Sequence, residues 1–175
     1  MIYMAPEILA AAFATGILVK LVDQIEDKKL KMKNMSALLG IFYGFLIAYV
    51  MIKSPIVANL WMAAVLANIA AGKIDAAGHR FGIFTMLIVL ILMGFPQFNF
   101  YLIALFLITA YFDEHLKNMG DARKIKNKTF AKMASYRVVL ELTAFAVSVY
   151  TGEWILFASI LAFDVGYAMI NKLNK

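Results

Sequence analysis

Apolar runs separated by short polar stretches organise the whole chain. Pro6 to Val22, Ala37 to Ile52, Pro55 to Gly72, Phe81 to Phe95, Phe98 to Phe112, Met133 to Tyr150 and Trp154 to Ile170 are almost free of charge, and each approaches the length at which a helix crosses a hydrocarbon core. The pattern predicts an all-α polytopic membrane protein, a bundle of seven transmembrane helices forming a single domain over residues 1–175. Phe81 to Phe95 and Phe98 to Phe112 hold 15 residues each. At about 1.5 Å per residue these two reach roughly 22 Å and must borrow length from their flanks or sit in a thin bilayer.

The polar stretches are of two kinds. Lys53-Ser54-Pro55, Gly94-Phe95-Pro96-Gln97 and Thr151-Gly152-Glu153 are short and carry the Gly or Pro that ends one helix and starts the next, so spans two and three, four and five, and six and seven are expected as tight hairpins. The others are longer and charged. Sixteen of the seventeen Lys and Arg residues fall on that second side, Lys53 alone on the first, which places the N-terminus outside and the C-terminus in the cytoplasm of a cell-membrane protein. The mean hydropathy of +0.80 and 63% hydrophobic content exclude a soluble single domain. With a sequence pI near 9.5 the basic collar is expected to meet anionic lipid headgroups, not nucleic acid. Self-association is compatible with such a surface.

The chain has no cysteine, which removes disulfides, thiolate catalysis, iron–sulfur clusters and Cys-ligated zinc. The first apolar run lacks a positive leader and a small-residue cleavage site, so it is expected as a mature span. Packing faces follow the small residues. Ser36, Gly40, Gly44 and Ala48 recur every four positions on span two, and Ala63, Ala67 and Ala71 on span three, a ladder that lets helix backbones approach closely.

Four spans reach an aspartate: Asp23, Asp75, Asp113 and Asp164. The shared polarity suggests a degenerate helical-hairpin repeat, loosely kept because the spacing from the outer turns varies. On span one, Ala11, Thr15, Val19, Asp23 and Asp27 form one stripe, and continuing the span-three ladder by four gives Asp75 and then His79. Span five adds Asp113, Glu114 and His115, among the cations Lys20, Lys28, Lys73, Arg80, Lys117 and Arg123. Carboxylates one helical turn apart suit Mg²⁺, and the neighbouring cations suit phosphate. Polar helix ends meeting water would look the same residue by residue; the convergence of four acids is what favours a site.

Asp23-Gln24-Ile25-Glu26-Asp27, followed by lysines, resembles a fragment of the Asp-rich motif of the UbiA-type intramembrane prenyltransferases. In that family aspartates at cytoplasmic helix ends bind a prenyl diphosphate through Mg²⁺. The likeness covers a handful of residues; the family's larger number of spans and its Asn-Asp start are absent here. It implies a shared design, not membership.

A second polar group lies deeper. Glu141 and Asp164 stand 12 and 11 residues from Glu153, roughly 16 to 18 Å from the outer turn on two joined helices. Arg137, one turn from Glu141, is the natural partner, and Ser148 or Tyr136 could complete a structural clamp. Intramembrane acids otherwise mark ion or proton paths. His79 and His115 are too near helix ends for a bis-His haem pair, and Trp61, Trp154, Tyr3, Phe98, Tyr101, Tyr111, Phe112, Tyr136 and Tyr167 read as interfacial aromatic belts.

Three functions are expected from these groups. The first is a membrane enzyme acting on a lipid phosphate or diphosphate at the cytoplasmic face. In it Asp23, Asp27, Asp75 and Asp113 hold Mg²⁺, His79 or His115 acts as acid or base, and Lys73, Arg80 and Lys117 steady the phosphate. The second is a small cation- or proton-coupled transporter or channel using Glu141 and Asp164. The third is a non-catalytic partner subunit.

Overall fold

The computed structural model describes residues 5–27, 33–74, 76–121 and 138–173, and among them every regular element is helical. The seven helices are α1 (Pro6–Asp27), α2 (Lys33–Lys53), α3 (Pro55–Ala70), α4 (Ala77–Met93), α5 (Phe100–Asp121), α6 (Val138–Thr151) and α7 (Trp154–Leu173). Their starts and stops follow local chemistry. Ser54 caps α3 by accepting the Val57 N–H at 3.5 Å, with Pro55 in the first turn. Asn99 caps α5, its Oδ1 accepting from Tyr101 N–H at 3.0 Å and Leu102 N–H at 3.3 Å. Gly72 adopts φ +69° past the end of α3. Its N–H donates to Ile69 O, and that of Lys73 to Asn68 O, both at 3.0 Å. This paired closure satisfies two end carbonyls and turns Lys73 back toward the helix.

The two shortest apolar runs do borrow length: α4 begins at Ala77 and has 17 residues, and α5 continues to Asp121 with 22. The ladder of span three does not continue to His79, because the Gly72 closure stops α3 and His79 lies in the first turn of α4. The expected hairpin of spans four and five also fails. A non-helical link, Gly94 to Asn99, separates α4 from α5, and α4 packs on α2 while α5 packs on α3 and α6. Buried Asn59 on α3 accepts the Asn99 N–H at 2.7 Å and so pins the start of α5 away from α4.

Glycine sets the closest contacts. A Cβ on Gly40 or Gly44 would collide with the carbonyls of Gly78 or Gly82, so α2 and α4 touch backbone to backbone along two glycine pairs. Gly16 on α1 and Gly166 on α7 meet the carbonyls of Phe163 and Phe13 in the same way. The expected α2 face is the packed one, Ser36 and Ala48 being fully buried, and on α3 Ala63 and Ala67 are buried as well. A larger core joins α1, α2, α4 and parts of α3 and α7. A smaller one, around Phe106, joins α3, α5, α6 and α7.

Much of the exterior is apolar. Phe84, Ile91, Leu92 and Tyr101 are 62%, 67%, 77% and 88% exposed. By length and composition α1 over Pro6–Glu26 and α2 over Asn34–Lys53 are able to cross a membrane; α3, α4, α6 and α7 are shorter apolar helices.

Candidate functional site

The glycine contacts bring polar side chains together at one end of the bundle. Close approach of α1 and α7 sets Tyr167, next to Gly166, against Asp23, and the Tyr167 hydroxyl donates to Asp23 Oδ2 at 2.7 Å. Gly82 leaves room for the ring of Tyr43, where a Cβ would overlap it. The Tyr43 hydroxyl therefore reaches His79 Nδ1 at 3.0 Å, while His79 Nε2 lies 2.9 Å from Asp23 Oδ1. With the Nε2 proton directed at the carboxylate, Nδ1 is left to accept from Tyr43. Lys20 completes the row, its Nζ donating to the Tyr167 hydroxyl at 3.3 Å and lying 4.8 Å from the centre of that ring. Five side chains from α1, α2, α4 and α7 thus form one continuous hydrogen-bonded chain, Tyr43–His79–Asp23–Tyr167–Lys20.

This chain borders a cavity of about 640 Å³ to which all seven helices contribute, a size that suits a small ligand. Glu26 lines it too, held by the Ser36 hydroxyl, which donates to Glu26 Oε1 at 2.6 Å. On the opposite side Lys73 forms an ion pair with Glu114, and Lys117 stands beside them on the wall. The lining holds three cations, Lys20, Lys73 and Lys117, and three acids, Asp23, Glu26 and Glu114, together with His79.

No protein-family model, curated protein or solved structure matches the chain.

Of the expected site residues, Asp23, His79, Lys73 and Lys117 line the cavity together. Asp113 does something else. It is buried, and its Oδ1 and Oδ2 accept the N–H groups of Val139 at 3.1 Å and Leu140 at 2.7 Å, so it caps the first turn of α6 from a neighbouring helix. His115 and Arg80 are exposed and do not line the cavity. Asp75 and Arg137 lie outside the described residues, as does the side chain of Asp27. Among the described residues no three His, Asp or Glu side chains gather in a metal-binding arrangement. Both oxygens of Asp23, like both of Asp113, accept hydrogen bonds from protein donors.

Glu141 is half-buried in the first turn of α6, and Asp164 is half-buried on α7. Ser148 does not join them; its Oγ accepts the Phe157 N–H at 3.2 Å and ties α6 to α7. Two aromatic residues placed in interfacial belts belong inside instead: Tyr167 holds Asp23, and buried Trp61 lines the cavity. Sequence reasoning also passed over Tyr43. Its signal was Gly78-xxx-Gly82, a spacing that announces a partner helix lying close enough for a ring to cross it.

Proposed function

We propose that the chain is a seven-span membrane protein, N-terminus outside and C-terminus in the cytoplasm, and that its cavity performs acid–base chemistry on a lipid phosphate or diphosphate at the cytoplasmic face. The membrane reading is supported by the exposed apolar exterior and by the two helices long enough to span. The one-sided distribution of Lys and Arg supports the orientation. The observation that carries the chemical reading is the His79–Asp23 pair facing the same cavity as Lys20, Lys73 and Lys117.

In this reading Asp23 fixes the tautomer and orientation of His79, as a carboxylate does for a catalytic imidazole. His79 takes a proton, through the Tyr43 hydroxyl, from an attacking hydroxyl or water, and returns it to the departing oxygen. Lys73 and Lys117 balance the charge on the phosphate. Mg²⁺ is proposed as arriving on the phosphate, because Asp23 and Asp113 are engaged by different protein donors and do not line the cavity together.

The test is turnover of a panel of lipid phosphates and diphosphates by the purified protein in nanodiscs. Asp23→Asn and His79→Gln are each expected to lower turnover about 100-fold or more, with helix content unchanged. Full turnover in either variant refutes the acid–base assignment. A proton-coupled transporter remains the second reading, favoured by the hydrogen-bonded chain crossing four helices; pH-dependent flux in liposomes with no turnover by the same preparation would select it.

A further inference from the structure

We infer that the cavity receives a single-chain amphiphile, lying head first at Asp23 and His79 and presenting an oxygen acceptor to the Trp61 indole at its apolar end. The inference rests on the lipid-phosphate reading and adds to it the form and chemistry of the tail.

The first support is a gradient shared by the walls. On α1 the lining passes from Glu26, Asp23 and Lys20 to Val19, and on α4 from His79 to Ile83 and Met86. On α7 it passes from Tyr167 to Phe163 and Ile160, on α2 from Tyr43 to Ile47, and from Lys73 past Asn68 on α3 to Val65 and Trp61. Polarity falls in one direction along five elements that alternate in chain direction, so the cavity has one charged end and one apolar end. A compact polar metabolite would waste the second, and a plain hydrocarbon would leave the first desolvated and unused. Trp61 lies nine residues before the end of α3 at Ala70, roughly 14 Å along the axis, a depth suited to one alkyl chain of medium length.

The second support is Trp61 itself. The residue is 7% exposed, and its Nε1–H has no acceptor among the described residues. Phe163 packs edge-on against the ring, centroids 5.4 Å apart at 86°, which restricts its rotation. Indole is a donor only, and a buried donor is ordinarily satisfied. An oxygen on the tail of the ligand supplies what the protein does not.

The experiment compares dodecyl phosphate with ω-hydroxydodecyl phosphate by titration calorimetry on the protein in nanodiscs, empty discs subtracted. Inorganic phosphate serves as the headgroup-only probe. The hydroxylated chain is expected to bind wild type roughly two- to tenfold more tightly than the plain chain, the range of one net hydrogen bond. Trp61→Phe should abolish that preference, so that the variant binds the two chains with equal affinity. In a Trp154→Phe background, where Trp61 is the sole indole, its fluorescence should shift saturably with the hydroxylated ligand.

Equal affinities in wild type, a preference that survives Trp61→Phe, or inorganic phosphate binding as well as dodecyl phosphate would each overturn the inference. Absence of the preference with turnover intact removes the inference alone. A preference without turnover keeps the binding site and removes the chemistry proposed for it.

Discussion

The helices α1, α2, α4 and α7 meet through glycine, with carbonyls of one helix lying where a neighbour's Cβ would be, whereas α3, α5 and α6 meet through Leu60, Phe106, Leu140 and Ala144. Each side holds an aspartate reached from an apolar helix. On the glycine side Asp23 is met by side chains, His79 and Tyr167, because backbones this close let hydroxyl and imidazole groups from different helices converge. On the other side Asp113 is met by the backbone N–H groups of Val139 and Leu140. One carboxylate orients an imidazole and the other caps the start of a helix. What an acid does here is decided by how closely its neighbours approach.

The sharpest way to break the comparison is to part the glycine contacts. Gly44→Leu places branched carbon against the carbonyl of Gly82, a backbone atom that cannot rotate away. The expected loss is about 3 kcal/mol or more of stability, read as a lower melting temperature in detergent and loss of the cavity-dependent activity. A melting curve within about 0.5 kcal/mol of wild type would mean that the helices are not held at this distance.

Removing the cap comes next. Asp113→Ala deprives two N–H groups of a charged acceptor in a buried setting, at an expected cost of about 2–3 kcal/mol. Asp113→Asn keeps an acceptor oxygen and should recover part of the loss. The contrast with Asp23→Asn is the informative part: that variant should lose turnover and little stability, and Asp113→Ala the reverse. Should Asp113→Ala melt like wild type, the capping role is wrong.

The order and positions of the helices could be read from the apolar runs, and the starts at Pro6, Pro55 and Trp154 coincide with the observed ones. The stripe through Ala11, Thr15, Val19 and Asp23 was likewise readable, since a helix repeats its face regardless of what it packs against. Partners were not. Nothing local distinguishes Asp23 from Asp113, because the difference lies in whether α4 and α7 or the start of α6 comes alongside. The α4–α5 hairpin fails for a related reason: a short connection implies neighbours, but Asn59 holds the start of α5 by a contact forty residues away in sequence. Tyr167 and Trp61 read as belt residues in the sequence because their rings suit a membrane interface equally well. Only tertiary packing turned them inward.

The smallest expected effect concerns the ion pair on the α3–α5 side of the cavity wall. Lys73 sits just past the glycine closure of α3, and Glu114 is on α5, one residue beyond the cap Asp113; their side chains are 35% and 11% exposed. A pair this open to solvent on one partner contributes about 1 kcal/mol or less, so the coupling energy from a Lys73→Met and Glu114→Gln double-mutant cycle should stay near that figure. Binding should respond in the opposite sense from stability. Glu114→Gln releases Lys73 from its carboxylate and leaves the cation facing the cavity, so dodecyl phosphate should bind somewhat more tightly even as the protein melts slightly earlier. Lys73→Met should weaken the same binding. If both variants weaken it equally, the pair acts as a unit that shapes the wall, and Lys73 is not a phosphate ligand.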